Sequence, residues 1–432
     1  MSLALSANES SKARTPIFWP GELPEHWQVK RLKFVVKLVN QKAVYEDSGL
    51  PYMGLEHIEP WTGRYIEDEE ASADGLVSFF EPGDVLLGKL RPYLAKVHLA
   101  KHRGVCSTEA LVLRTSADLI PEYLRYFLVA PTTIGNINSS TYGSKMPRAS
   151  WDFIGNQLQP LPPLDEQRAI ADFLDRKTAE IDILIAKKRR LLDLLAEKRT
   201  ALITRAVTKG LNPDAPMKDS GIEWLGEIPA HWGILRVKFF ASVGNGSTPS
   251  RDNPEYWLNG YYPWLNSSIV NQRSVSEADQ FVTGIALDEC HLPIIRPPAI
   301  LIGITGQGKT RGMATRLDFE ATINQHLVFV KPDPDLIDMD YLYALFVKAY
   351  AYLRSESDGG GSTKGAITCN QVENLSLPFP PMDEQAEISR VLEREQSELD
   401  TLEEKVSNVI QYLREYRSAL ITNAVTGQIK VA

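Results

Sequence analysis

Three cysteines in 432 residues, at Cys106, Cys290 and Cys369, are too few and too scattered for a disulfide framework. With no CxxC pair among them they also offer no evident zinc site, and three reduced thiols in an intracellular, cytoplasmic protein is the expectation. Histidine is sparse too. The seven present are dispersed, so neither a metal cluster nor a Ser/His/Asp arrangement can be argued from spacing, and the same holds for paired carboxylates. No apolar run approaches the roughly 18 residues that a membrane helix needs. The opening MSLALSANESSKAR is short and polar, unlike a signal peptide, and reads as a flexible tail over residues 1–16. Positive charge is not in excess: 47 basic against 55 acidic side chains leave a net charge of −8. That argues against a protein holding nucleic acid alone by bulk charge, but it permits local basic surfaces or a partner that supplies charge. The apolar share, 43 %, is ordinary, and the length allows two or three domains.

What the chain has in abundance is itself, twice. PLPPLDEQRAIADFLDRKTAEID from Pro160 returns as PFPPMDEQAEISRVLEREQSELD from Pro378, a shift of 218. The same shift brings Ala201–Thr204 onto Ala419–Thr422 and Ala206–Thr208 onto Ala424–Thr426, so the two copies have equal length. Inside them, Leu392, Leu399, Val406, Leu413 and Leu420 recur every seven residues, with Leu402, Val409 and Tyr416 three further on. The first copy repeats the series with Leu174, Ile181, Leu195 and Leu202, plus Leu184 and Leu191, and places Lys188 where Val406 stands. This spacing predicts coiled-coil seams, with Lys188 as a polar register-setting position. Asp165 and Asp383 stand where an N-cap acceptor is wanted, each followed by a glutamate favourable to the helix dipole. Each helix would be roughly 66 Å long at 1.5 Å per residue. Two amphipathic helices lying on their own domains is the plainer alternative; equal length and matched register favour two rods packed antiparallel on each other.

A second repeat opens each half. WPGELPEHWQVKRLKF from Trp19 matches WLGEIPAHWGILRVKF from Trp224, now at a shift of 205. The shift grows from 205 to 218 along the halves, so the middle of the second has gained about 13 residues. Between these anchors Gly83–Gly88 resembles Pro298–Gly303, two short buried strands. Ser107–Leu113 resembles Ile323–Phe329, and Tyr123–Leu124 and Tyr341–Leu342 each open a short helix. Gly143–Ser144 matches Gly361–Ser362 in a polar loop. The expected fold is two α/β (α+β) globular domains, each followed by a long helix, in a pseudo-twofold internal repeat. The expected segments are a first domain at 17–160, a helix at 161–210, a linker at 211–219, a second domain at 220–378 and a helix at 379–432.

Gly303–Thr310 fits the P-loop pattern GxxxxGK[ST] after an apolar strand. A phosphate cradle needs a helix to follow, and Arg311–Phe319 has an early glycine and weak helical periodicity. A P-loop nucleotide-binding enzyme using Gly303–Thr310 is the alternative from another class. Asn253–Tyr256 resembles the [DNS]PP[YF] loop of adenine methyltransferases but lacks the second proline, and no glycine-rich cofactor loop precedes it. Pro332–Asp333 lacks the further acid and lysine of a nuclease centre. His26 and His231, both in the repeat, read as packed and hydrogen-bonded. A third reading is a coiled-coil adaptor, which the variable middle between constant ends argues against.

Polar, basic and aromatic loops remain. In the first half these are Lys89, Arg91, Tyr93 and Lys96, then Tyr142, Ser144, Lys145 and Arg148. In the second they are Ser247, Thr248, Ser250 and Arg251, then Asn266 and Ser267, Lys309 and Arg311, and Ser362, Thr363 and Lys364. Lysine and arginine hold phosphates, while Asn, Ser, Thr and Arg read base edges; solvated loops would look similar. The run Lys187 to Arg190 is a solvated face or lies beside DNA.

Taken together, Lys218–Trp232 (KDSGIEWLGEIPAHW), the two PPxDEQ helix starts, Gly246–Ser250 followed by Asn253–Trp257, and the paired ALIT-xAVT ends resemble the DNA-specificity subunit of type I restriction–modification systems. The match runs over nearly the whole chain in the family's order. The first half departs from it by keeping only Trp19, Gly21 and Glu22 of the DSGxEWLG lead-in. The resemblance implies two target recognition domains, each reading one half of a split site in double-stranded DNA, with the helices as spacer. It implies two methyltransferase subunits as partners, in an assembly that restriction subunits can join but that does not require them. It also implies that this chain is not an enzyme and holds no cofactor: adenine methylation and S-adenosylmethionine belong to the partner.

Overall fold

A computed structural model describes residues 22–68, 73–306, 308–358 and 365–431. The expected tail, Trp19 and Gly21, and the candidates Ser362, Thr363 and Lys364 lie outside the described residues. The chain divides into two compact units, Met1–Arg189 with Ser407–Ala432 and Arg190–Val406. Each holds one mixed α/β domain and a paired segment of the two long helices.

In the first unit, Val36–Val39, Ala110–Thr115, Val85–Gly88 and Val97–Leu99 form an antiparallel four-stranded sheet in that order. A second sheet orders Lys42–Val44, Leu76–Phe80, Gly104–Ser107 and Tyr52–Met53, the last pair parallel. Met53, Ile58, Phe80, Leu86 and Val112 fill the core between them. In the second unit a five-stranded sheet runs Ala241–Asn245, Leu327–Pro332, Ala299–Gly303, Ala314–Leu317, Ser274–Val275. A three-stranded sheet of Phe281–Val282, Tyr262–Leu265 and Thr322–Ile323 adjoins it. Both domains close in the same way: Gln28–Arg31 pairs with Leu158–Leu161, and Gly233–Arg236 pairs with Ser376–Phe379. The start and end of each domain are therefore neighbours, and those are the stretches that recur in sequence.

The helix opened by Tyr123 spans Pro121–Val129, and a second helix, Pro131–Ser139, follows. Its counterpart, expected to be short, is one 20-residue helix, Met339–Asp358. The reason is a single residue. Pro131 has no N–H to give and stops the first helix, whereas the repeat places Ala349 there. The stretch expected as a linker also differs, because its end, Met217–Asp219, forms a strand against Glu227–Pro229.

The first long helix spans Leu164–Lys209 (46 residues) and the second Met382–Val425 (44 residues). At 1.5 Å per residue they are about 69 and 66 Å long. The carbonyls of Pro163 and Pro381 accept from the backbone N–H groups of Gln167 and Gln385, so helix begins directly after the prolines. Asp165 and Asp383 therefore lie inside the first turn, where they complement the dipole; they are not N-caps. Gly210, left-handed at φ +69°, ends the first helix.

Within each unit the helices run antiparallel. In the first, Asp182 meets Arg417; in the second, Arg199 meets Asp400. Leu174, Ile181, Leu195, Leu392, Leu399, Val406 and Leu420 are buried, while Lys188, Leu202 and Leu413 are half-buried. The companion series differs from the expectation. Leu184, Leu402, Val409 and Tyr416 are exposed. The inward positions lie four residues on: Thr178, Ile185, Gln396, Ile410, Ala206 and Ala424 are buried, and Arg199, Glu403 and Arg417 are half-buried. The seam thus carries charged side chains, and Arg199, Glu403 and Arg417 are tolerated there because each finds an opposite charge across it.

Candidate nucleic-acid interface

Each domain is held on its helix by the same small set of bonds. Glu166 accepts from His26 Nε2 at 2.8 Å and Trp27 Nε1 at 3.0 Å. Glu384 accepts from His231 and Trp232 at the same two distances. Gln167 accepts from the Ile120 N–H and donates to the carbonyls of Asp118 and Pro162. Gln385 accepts from the Asp338 N–H and donates to the Pro380 carbonyl. Tyr123 and Tyr341, fully buried, donate to the carbonyls of Pro160 and Pro378, and burial pushes both phenols well up. The DEQ motif and the His-Trp pair are therefore a clamp, and the two histidines are hydrogen-bonded but largely exposed.

In the first unit the two candidate loops meet. The chain leaves Gly88 with the Lys89 N–H bonded to the Glu109 carbonyl and the Arg91 N–H to that of Pro147. Arg91 and Ala95 are both left-handed, at φ +49° and +48°, and this tight turn turns Arg91 and Tyr93 outward. Bridges join Leu90 to Arg148 and Tyr142 to Arg148. Arg91, Tyr93, Tyr142, Ser144 and Lys145 are exposed and Lys89 half-buried. Two candidates face inward instead. Lys96 donates to the Leu55 carbonyl at 2.5 Å, and Arg148 pairs with Glu109 at 3.0 Å; both brace the loops. Burial draws the Lys96 ammonium below its usual range.

In the second unit the rim begins at Gly246, where an added Cβ would stand 1.8 Å from the Ile323 carbonyl, so only glycine fits. Beyond it, the Ser247 carbonyl accepts from Trp264 Nε1 and the Ser250 carbonyl from Trp257 Nε1. The Arg251 guanidinium lies 3.6 Å from the Trp257 ring centre and donates to Gln280. Thr248 donates to Gln325 Oε1 at 2.6 Å, and His326 joins Gln325 and Thr305. Asn266 caps the turn that Ser267 opens, accepting from the Ser268 N–H. Gln325, His326, Thr305 and Gln280 were missed from sequence. A signal existed: Gln325 stands in the repeat where Glu109 stands, and each reaches a candidate loop. Lys309 is exposed. Arg311 is a correction, because it is buried at 4 % exposure beneath Arg354, which donates to its carbonyl, and it does not face the loop surface.

The P-loop reading fails on geometry. Gly303–Thr310 closes a hairpin between the antiparallel strands Ala299–Gly303 and Ala314–Leu317, with the Gly303 and Gly312 N–H groups bonded across it, and opens no helix. No group of three His, Cys, Asp or Glu suited to a metal occurs among the described residues. Burial pushes the Cys106 thiol up to about 12, far from a nucleophile. Among the described residues no helix is long and apolar enough to cross a membrane.

Fold and site define a duplicated scaffold: one clamp used twice, each copy carrying a different rim of polar and aromatic loops. The chain belongs to the type I restriction modification DNA specificity domain family, whose model matches residues 24–192 and 229–412. It is similar to the type I restriction enzyme MjaVIII specificity subunit of Methanocaldococcus jannaschii, 23 % identical over 424 residues, 95 % of this chain and 94 % of that one. Two solved structures share the fold. One, from work on complex assembly and conformational transition of the type I R-M system, has a TM-score of 0.73 at 19 % identity and covers 95 % of this chain and 100 % of that one. The other, an HsdS subunit from Thermoanaerobacter tengcongensis, has a TM-score of 0.54 at 19 % identity and covers 95 % and 99 %.

Proposed function

We propose that the chain is the DNA-specificity subunit of a type I restriction–modification complex. Each domain reads one half of a split duplex target, and the long helices set the distance between the halves. The observation that carries this is the pairing of an identical clamp with two different rims, since a scaffold alone needs no difference. In the first domain, Arg91 and Lys145 take phosphates, while Tyr93, Tyr142 and Ser144 face the bases, with Lys89 beside them. In the second, Thr248, Gln325, Asn266 and Ser267 read base edges, and Ser247, Ser250, Arg251 and Lys309 hold the backbone. Ser362, Thr363 and Lys364 keep the role that their sequence suggests. Helices of about 66–69 Å correspond to about two turns of B-DNA at about 34 Å each.

On this reading the chain performs no chemistry and holds no cofactor. S-adenosylmethionine belongs to two methyltransferase subunits, restriction subunits join that assembly, and the complex works in the cytoplasm on its DNA. Apolar side chains left exposed on the helices of each unit, Leu184, Val409, Tyr412 and Tyr416 in the first and Leu402 in the second, supply separate docking surfaces for the partners. Leu184 and Leu402 are repeat equivalents, as two identical partners require. The test is genome-wide N6-methyladenine mapping in cells carrying this chain and its methyltransferase, against cells lacking the chain. A split motif that disappears with the chain is the expected result. Unchanged methylation, with the complex shown to assemble, would overturn the reading.

A further inference from the structure

The first unit contains a cleft of about 430 Å³ where the loop Glu59–Arg64 lies over the helix pair, lined by Trp61, Thr62, Arg64, Arg189, Arg414 and Arg417. The loop is built rigidly. Trp61 is left-handed at φ +66°, and at Gly63 a Cβ would stand 1.9 Å from the Val97 carbonyl. Thr62 and Arg64 both donate to Glu59, and the Arg64 hydrogen bond holds the Glu59 carboxyl below its usual range. Trp61 keeps 38 % of its surface exposed.

Two of the four arginines are accounted for: Arg64 pairs with Glu59, and Arg417 pairs with Asp182 and donates to the Trp61 carbonyl. Arg189 and Arg414 are exposed and make no hydrogen bond or ion pair among the described residues. The repeat supplies an internal control. Arg417 and Asp182 recur in the second unit as Arg199 and Asp400, which also pair, so that couple is part of the scaffold. Arg189 and Arg414 recur as Ser407 and Ala196. The scaffold therefore does not need them, and they are additions at this cleft. They leave it with an excess of two positive charges beside an aromatic face, and Arg189 itself belongs to the basic run Lys187 to Arg190.

We infer that this cleft binds the phosphate of a nucleotide, held by Arg189 and Arg414 with the sugar or base against Trp61. Guanidinium groups grip phosphate oxygens bidentately, and an indole face stacks on any base. The same chemistry has two sources, the backbone of bound DNA and a free nucleotide; the first rests on the DNA-reading function proposed above and the second does not.

The experiment has two arms, each comparing the full chain with R189A/R414A and R189K/R414K. In the first, DNA affinity of the complex with its methyltransferase is measured against salt. A DNA source lowers the slope of log K against log salt by about 1 to 2 in the alanine variant. Cognate and scrambled duplexes weaken alike, and the lysine variant restores most of the slope. In the second arm the isolated chain is titrated with adenosine 5′-monophosphate and with inorganic phosphate by calorimetry. A free-nucleotide source gives binding to the former that the alanine variant loses at least tenfold, with an unchanged DNA slope. No change in slope and no nucleotide binding by the parent chain overturns the inference. If the parent complex shows no preference for any duplex, the specificity reading fails, while the second arm still tests the cleft. Both arginines are exposed, and the charge of Arg189 reaches Glu59 only through space, so nearly equal melting temperatures are expected for all three proteins.

Discussion

At the level of single residues, the helix seam shows how charge can hide a packing position. Arg199, Glu403 and Arg417 occupy inward positions, yet in sequence they look like surface, whereas Leu402, Val409 and Tyr416 look like seam and are exposed. Periodicity counts apolar residues and cannot see that a charge is paired across the interface. Arg417 and Asp182 keep only 12 % and 16 % of their side-chain surface, while Arg199 and Asp400 keep 23 % and 52 %. Removing one member of the drier pair strands a nearly buried charge, which is costly; the wetter pair is screened. Arg417→Ala is therefore expected to destabilise the chain by about 2 kcal/mol and Arg199→Ala by about 1 kcal/mol or less. Urea denaturation of each variant measures both, and equal losses would contradict the burial argument. The histidines of the clamp were legible as hydrogen-bonded groups, but their partner was not, because Glu166 is 140 residues from His26. The burial of Arg311 is hidden in the sequence for a related reason: a lysine- and glycine-rich loop reads as exposed along its whole length.

At the level of elements, the repeat made the helices legible to within a few residues. Proline pairs start them and glycine ends the first, both local chemistries. Helix direction follows from the charged pairs, each of which joins a residue early in one copy to one late in the other. That pairing also constrains how helix length can be changed. An insertion between Asp182 and Arg199 in one helix alone could not keep both the Asp182–Arg417 and the Arg199–Asp400 pairs in register, so lengthening has to be made in both helices at matched positions. Seven residues keep the seven-residue repeat facing inward and add about 10.5 Å, or about three base pairs at 3.4 Å. Inserting one heptad after Arg189 and one before Ser407 is expected to lengthen the spacer of the methylated motif by about three base pairs, both half-sites unchanged. Methylation mapping reads this directly. An unchanged spacer would mean that the helices do not set the distance. The loops gave less of themselves away. Which of them converge, as Arg91 does with Arg148, depends on strand order in the sheet, and no local pattern in the sequence encodes that order.

At the level of the whole molecule, two domains of different content share one set of attachments. The second domain enters through Gly233–Arg236 and leaves through Ser376–Phe379, which are hydrogen-bonded to each other. Everything between them can be exchanged without moving the points of entry and exit. The exchange has one physical condition. Tyr341, Leu345 and Phe346 share a core with Ile203, Val207, Ile388 and Leu392 of the long helices, so an incoming domain must offer apolar side chains of similar volume on that face. Losing a large one there would cost about 3–5 kcal/mol. Replacing residues 237–375 with the corresponding segment of another family member that meets this condition is expected to change one half of the methylated motif only. The other half and the spacing follow from parts left in place, namely the first domain's rim and the seven-residue register of the helices. Should both halves change, reading would be a property of the assembled complex and not of each rim, and the loop residues assigned here would lose their separate roles.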